Sequence, residues 1–259
     1  MLWVLLTAAA APLQVARNAL QRGLVGDAGP WGATLVRFLF GLPFSLAMFA
    51  LVAGFTPGAE PHLSLRFAIG VAVGAVAQMT ATAFLLLAMG RAGFAVATVM
   101  QQSSLLLGAI FGVALGDALP VRAWIGMGLA TVGLLALSWP RRQDVRGELR
   151  GALLGLASGA AFAVALNGYR QAGLALDAAH PIYSALAAVV AAQTLQSALL
   201  AGILAAVRPQ ALAAVLTSWR SSLGAGFFGS AASACWFGAL ALAPAGPVRA
   251  VGVIEAPIA

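Results

Sequence analysis

Acidic residues are few in this chain of 259 amino acids, and one of them lies where a carboxyl group could do chemistry. Six of the seven acids fall in predicted loops or at the ends of predicted helices. Glu255 differs, because it follows Pro244 by about 11 residues, or roughly 16 Å of helix, within an apolar segment. A carboxylate near the centre of a bilayer is costly unless it is paired or faces water. Glu255 is therefore predicted to exchange a proton or contact a substrate, with a structural carboxyl, protonated or paired to arginine, as the alternative.

Amides and one tryptophan occupy the middle of other apolar segments. Gln102, with Gln101 beside it, could face Glu255 across a central cavity or serve as a hydrogen bond between helices. Trp236 is the one tryptophan well inside an apolar segment, where it could stack on a substrate or fill space against neighbouring glycines. Further polar surface within the segments is contributed by Gln78, Thr80, Thr82, Gln193 and Gln196.

Two arginines and two asparagines have positions that are open to more than one role. Arg37 lies about five residues, or roughly 8 Å, inside the second segment, where it could pin the mouth of the bundle or pair with a substrate anion or Glu255. Arg249 has a similar depth in the last segment and the same alternatives, and among them extension of its side chain to the interface is favoured. Asn18 and Asn167 lie near segment ends and are predicted to cap or bridge helices, with the rim of a cavity as the alternative.

The remaining residue types argue against several function classes. An aspartyl protease needs two facing carboxylates, and the apolar segments contain one. His62 and His180 are isolated, so neither a metal site nor a Ser–His pair is predicted. No glycine-rich phosphate loop is present, and no cofactor is expected. All fourteen basic residues are arginine and none forms a long cluster, which argues against nucleic acid as a partner.

These residues must be positioned by membrane helices. The chain is 62% apolar and 8% charged, against about 45–50% and about 25% in soluble domains. A membrane helix needs about 20 mostly apolar residues, and nine such spans can be assigned. They are Leu2–Leu20, Gly32–Gly54, Arg66–Gly90, Ala92–Gly116, Leu119–Trp139, Gly151–Ala172, His180–Val207, Ser221–Ala243 and an incomplete one that opens near Pro244. The predicted fold class is an all-α polytopic membrane protein.

The chain also repeats itself. An offset of 149 residues places Asn18 on Asn167, and an offset of 153 places Gln102 on Glu255. Five spans separate the starts of the two copies, and an odd number turns the second copy upside down, as in many secondary transporters. The predicted organisation is a first five-helix repeat over residues 1–139, a connecting loop over 140–150 and a second repeat over 151–259.

Short motifs carry a resemblance to a known family. The run Val36–Phe40 is followed by Pro43 in the second span, and Gly116–Leu119 precedes a glycine-bearing fifth span. These features resemble the EamA-like branch of the drug/metabolite transporter superfamily, although Asp117 stands where that family usually has glutamate. The resemblance implies a 5+5 helix arrangement and transport of small metabolites or drug-like solutes across the inner membrane. It also implies coupling to protons or to the substrate's own gradient.

The function predicted from the sequence is a secondary carrier, most simply an exporter, that works by alternating access around a midplane cavity. Its partners would be a small-molecule substrate, protons as a candidate coupling ion and the lipid bilayer, and it would be a monomer or a homodimer. The alternatives are a non-transporting membrane scaffold or sensor and, more remotely, an intramembrane enzyme. Membrane orientation stays open, because the arginine distribution places the N-terminus outside by the positive-inside rule and the family resemblance implies the opposite.

The repeat also leads to an expectation about length. Carrying Trp139 across with the offset of 153 places the end of a complete second copy about 33 residues beyond Ala259. The tenth helix would then be missing, and the 259-residue form is expected to be unstable and inactive in transport.

Overall fold

Helices joined by turns and short loops form the described structure. The computed structural model describes residues 1–137 and 145–255, and these residues contain no strand, which confirms the predicted all-α class. The helices are α1 (Leu2–Gly23), α2 (Val25–Leu39), α3 (Leu42–Phe55), α4 (Leu65–Ala92), α5 (Phe94–Gln101), α6 (Ser104–Ala114), α7 (Val121–Leu137), α8 (Val145–Leu176), α9 (Pro181–Val207), α10 (Pro209–Thr217), α11 (Trp219–Leu242) and α12 (Ala245–Gly252).

Six segments of the described chain are long and apolar enough to cross a membrane, so the protein is a multi-pass membrane protein. They are Ala28–Phe55, Leu65–Ala92, Phe94–Ala114, Leu149–Leu176, Pro181–Val207 and Trp219–Leu242. The other three expected spans are not confirmed. Helix α1 has 22 residues, but Gln14, Arg17, Asn18 and Gln21 make its second half polar. Helices α7 and α12 have 17 and 8 residues. Trp139 lies outside the described residues.

Apolar side chains lie on the outside of the bundle as well as in its core. Large apolar side chains such as Phe55, Leu65 and Leu129 are more than two-thirds exposed on the outside of the bundle. Arginine, glutamine and asparagine side chains are buried within it. Lipid solvates the apolar exterior, and the polar groups find partners only inside the bundle.

The second predicted span is broken into α2 and α3 at Gly41. Pro43 has no N–H to continue the helical hydrogen bonds. The hydroxyl of Ser230 in α11 donates to the carbonyl oxygen of Gly41 at 2.7 Å. A Cβ atom at Gly226 would overlap the carbonyl of Phe40. Because the helix is broken here, α11 packs directly against the backbone of Phe40 and Gly41, and the hydroxyl of Ser230 has a carbonyl oxygen to bind.

The most extensive helix contacts join α4 to α8 and α1 to α11. Glycines bring the first pair together. A Cβ atom at Gly70 would lie 2.7 Å from the carbonyl oxygen of Gly168, and one at Gly168 would lie 2.9 Å from that of Gly70. Small residues allow such close backbone approach in membranes.

Glycines also recur every four residues in two stripes, Gly108, Gly112 and Gly116 in one and Gly151, Gly155 and Gly159 in the other. Cβ atoms at Gly151, Gly155 and Gly159 would collide with the end of α4, with α5 and with the turn before α6, so this stripe is a packing face. In the other stripe, Gly112 packs against Asp117 and Asn167, whereas Gly108 only reaches contact distance of Ala245. Gly116, with φ of 100°, ends the helix in a turn that favours glycine.

Candidate functional site: a buried polar cavity

A narrow cavity lies where α1, α2, α4, α5, α8, α11 and α12 meet. Its polar lining consists of Gln14, Arg37, Gln78, Gln101, Tyr169, Ser233, Trp236 and Arg249, and its apolar wall consists of Phe162, Ala165, Leu166 and Phe237. The space open to the centre of a water molecule is about 20 Å³, which suffices for about one ordered water. In this conformation the cavity is too narrow for an organic solute.

Glu255 is fully buried directly behind two of the lining residues. Its Oε2 accepts a hydrogen bond from Nε2 of Gln14 at 2.7 Å and lies 3.9 Å from Nη1 of Arg249. The indole N–H of Trp236 donates to Oε1 of Gln14 at 2.8 Å. Oε1 of Glu255 accepts no hydrogen bond from the described residues. The carboxyl group therefore has spare bonding capacity beside the cavity.

Arg249 links the two residues that the internal repeat superimposes. Its guanidinium donates to Oε1 of Gln102, makes the ion pair with Glu255 and lies 4.9 Å from the ring centroid of Trp236. The side chain is only 3% exposed, so the expected extension to the interface is wrong. Gln102 and Glu255 share one arginine and do not face each other across an open space. Trp236 lines the cavity and also packs against Gly252, so both of its predicted roles have a physical basis.

Arg37 is buried at the cavity and bonds only to hydroxyl groups. Nη1 donates to the hydroxyl of Thr82 at 3.1 Å and Nη2 to that of Ser233 at 3.2 Å, while Nε is left without a partner among the described residues. A Cβ atom at Gly229 would lie 2.9 Å from Cγ of Arg37. The glycine of α11 thus provides the space in which the arginine side chain lies.

Arg17 is a third buried arginine of this cluster, and sequence reasoning did not select it. Its Nε and Nη2 donate to the side-chain oxygen of Asn18, at 3.1 and 2.5 Å. It interacts electrostatically with both Arg37 and Glu255. Asn18 is buried with it and does not line the cavity. Many arginines of this chain lie near the ends of apolar segments, and the sequence position of Arg17 does not distinguish it from them.

Tyr169 and Gln78 form a second part of the lining, and Gln196 binds both of them from outside it. The hydroxyl of Tyr169 donates to Oε1 of Gln78 at 2.7 Å, and Nε2 of Gln196 reaches both groups, at 2.8 and 3.1 Å. The ring of Tyr169 lies against that of Phe237 with centroids 3.9 Å apart. The chain has two tyrosines, and the position of this one inside a predicted apolar span was the signal that could have identified it.

Two predicted polar residues bridge helices away from the cavity. The side-chain amide of Asn167 in α8 donates to the carbonyl oxygen of Gly108 in α6 at 3.0 Å. Gln193 in α9 accepts a hydrogen bond from the hydroxyl of Ser45 at 2.9 Å and donates to that of Ser230 at 3.1 Å. Gln101 lines the cavity itself.

Arg170 joins three elements at one end of the bundle. It donates to both carboxylate oxygens of Asp117, at 2.8 to 3.0 Å, in the turn after α6. Its Nη1 donates to the carbonyl oxygens of Leu240 and Ala243, at 2.7 and 2.9 Å, at the end of α11. A carboxylate and two carbonyls at a helix end accept hydrogen bonds from this guanidinium. The contact therefore holds the three elements together.

A carboxylate outside the membrane spans organises the turn between α8 and α9. Asp177 accepts hydrogen bonds from Nδ1 of His180 at 2.9 Å and from the backbone N–H groups of Glu60 at 3.0 Å and Ala179 at 2.9 Å. The bond to His180, followed by these backbone bonds, holds the pKa of Asp177 below its ordinary value. The described residues contain no group of three His, Cys, Asp or Glu side chains that could hold a metal ion.

Comparison with known proteins identifies a fold. No family model matches the chain, and no curated protein does. Chains of solved structures match, among them a crystal structure described only as that of a protein. It is 19% identical, with a TM-score of 0.65 over 99% of this chain and 85% of the other. The chain shares that fold. At this identity the likeness extends to the fold alone.

Proposed function

We propose that the protein is a secondary carrier that moves a small solute through the central cavity by alternating access. The polar cavity within an apolar bundle is the observation that carries this proposal. Ionisable side chains within a membrane are costly and mark solute pathways or proton relays. Three arginines and Glu255 gathered at one space are better explained by such a pathway than by packing.

Helix pairing supports an inverted repeat as the framework of the carrier. In the repeat predicted from the sequence, α1 corresponds to α8 and α4 to α11. The two most extensive contacts, α4–α8 and α1–α11, are exchanged by that correspondence. Helices α5 and α12 also correspond, and each has eight residues and ends in a break beside Gln102 or Glu255. Broken helices at a repeat interface commonly form transporter binding sites.

Within this proposal Glu255 is the group that takes and releases a proton. Oε1 has no partner among the described residues and can hold the proton, while Arg249, 3.9 Å from Oε2, keeps its hydrogen bond to Gln102. The proposal extends to an EamA-like exporter of small metabolites or drug-like solutes in the inner membrane, as a monomer or homodimer. The motifs around Arg37 and Asp117 support this assignment.

The test is saturable flux into proteoliposomes, screened with labelled amino acids, organic acids and cationic dyes, with and without a pH gradient. Glu255→Gln should reduce transport or remove its pH dependence while the protein still folds, because the amide cannot carry a proton. Glu60→Gln makes the same chemical change in an exposed loop and should leave flux unchanged. Absence of saturable flux for the whole panel would favour a scaffold or sensor. Flux by the Glu255 variant that equals wild type at every pH would make that residue structural.

A further inference from the structure

The buried charges at the cavity do not balance. Arg17, Arg37 and Arg249 are each at most 3% exposed, and Glu255 is the acid buried with them. When all four are ionised, the cluster carries an excess of two positive charges. Among the described residues no carboxylate lies within 4 Å of Arg17 or Arg37. Burying charges without partners is unfavourable, so the cluster attracts an anion.

The same protein shows how a buried structural arginine is satisfied. Arg170 makes a bidentate pair with Asp117 and binds two backbone carbonyls. Arg37 has two neutral hydroxyl partners instead, and its Nε, together with Nη1 of Arg17 and Nε of Arg249, has no partner in the described residues. Arg37 and Arg249 line the cavity directly. Guanidinium groups bind carboxylate, sulfonate and phosphate oxygens strongly because the hydrogen bonds are charge-assisted.

We propose that the solute is an organic anion with an aromatic or apolar body, and that Arg37 binds its anionic group. Transport of this anion rests on the proposed function, whereas its binding does not. The wall beside the arginines supplies the apolar contacts through Phe162, Leu166 and Phe237, with the ring of Trp236 next to Arg249. The cavity of about 20 Å³ is too narrow for such a molecule, so binding requires a more open conformation, which alternating access provides.

Glu255 competes with the solute for the arginines. Its carboxylate lies 3.9 Å from Nη1 of Arg249 and interacts electrostatically with Arg17. Removing that negative charge leaves all three guanidinium groups in place and raises the excess positive charge from two to three. An anion is therefore expected to bind more tightly to the Glu255→Gln variant, whereas a cationic solute would bind less tightly.

Binding is measured on the detergent-solubilised full chain with benzoate and benzenesulfonate as probes. Benzamide and benzenesulfonamide serve as neutral matches, and phenyltrimethylammonium as the cation. We expect at least one anion to raise the melting temperature with saturation and to bind at least tenfold more tightly than its amide. Arg37→Gln should weaken that binding at least tenfold, and Arg22→Gln, an exposed change near the end of α1, should leave it unchanged. Glu255→Gln, which keeps every arginine, should tighten it about threefold or more.

The proposal is overturned if neither anion binds, if the amide or the cation binds as well as the anion, or if Glu255→Gln fails to tighten binding. A folded Arg37→Gln protein with wild-type affinity would also overturn it. Should Arg37→Gln not fold, the Glu255 variant and the charge series decide. Saturable flux restricted to neutral or cationic solutes would leave the carrier standing and remove the anion site. Anion binding at Arg37 without any flux would leave the anion site standing and remove the carrier.

Discussion

Arg170 and Asp117 form the best-satisfied charge pair among the residues that the structure describes. Their side chains are 11% and 9% exposed, and the pair joins the turn after α6 to α8 and to the end of α11. Exposed ion pairs contribute little to stability, but removing one partner of a buried pair leaves the other charge uncompensated. This ion pair is therefore expected to stabilise the folded protein.

Arg170→Gln is expected to lower the free energy of unfolding by about 3 kcal/mol. Asp117 then lacks its cation, and the carbonyls of Leu240 and Ala243 lose a strong donor. Unfolding in mixed micelles measures the change, with the exposed Arg122→Gln as control. The double variant with Asp117→Asn should recover part of the loss, because no unpaired carboxylate remains. A loss no larger than that of the control would contradict the prediction.

At the residue scale the sequence identified most of the polar groups of the cavity, because a polar residue in a long apolar run is conspicuous. Gln78, Gln101 and Trp236 line it, and Gln102 and Glu255 bind a lining arginine. Which side chains bind one another was harder to predict. Burial of Arg249 depends on an indole and an amide from other helices, and sequence position gives only its depth along its own helix.

At the scale of elements, the site depends on gaps that glycines leave between helices. Gly252 in α12 faces the indole of Trp236, and Gly229 in α11 faces Arg37. Because glycine has no side chain, each position leaves space that a functional side chain of another helix occupies. The lengths of the long helices follow from the apolar runs, so α4, α9 and α11 closely match their predicted spans. Breaks such as Gly41 were not predicted, because they depend on the approach of α11.

Gly252→Ala is expected to displace Trp236, since the new Cβ would overlap Cη2 of the indole and lie 3.2 Å from Cζ3. A rigid ring cannot yield as a flexible side chain would, and such overpacking costs about 1–3 kcal/mol. The hydrogen bond from Trp236 to Gln14 should be lost, seen as a change in tryptophan emission, and anion binding should weaken.

Gly202→Ala in α9 is the matched control, because its Cβ would meet nothing within 4 Å. Its emission and binding should equal those of wild type, and its stability should be equal or slightly higher because alanine favours a helix over glycine. Equal behaviour of the two glycine variants would show that the indole is not held by Gly252.

At the scale of the whole molecule, the charges of the cavity couple a proton to the solute if both proposals hold. The groups facing Glu255 are Gln14 and Arg17 from α1, Arg249 from α12 and, through Gln14, Trp236 from α11. Protonation of Glu255 raises the excess positive charge from two to three, and anion binding lowers it. By linkage, each event favours the other, so proton and anion should cross together. Such a carrier exports the anion when the solute's own outward gradient exceeds the inward proton gradient.

An imposed pH gradient should therefore drive benzenesulfonate toward the alkaline side of a proteoliposome membrane. This anion stays ionised, so passive entry of a neutral acid cannot imitate the result, and potassium with valinomycin holds the membrane potential fixed. Glu255→Gln should bind benzenesulfonate more tightly yet carry it only down its own concentration gradient, because an amide carries no proton. Glu60→Gln should keep the wild-type response. Accumulation on the acidic side would show exchange of anion for proton, and a variant that still responds to the pH gradient would place the proton on another group.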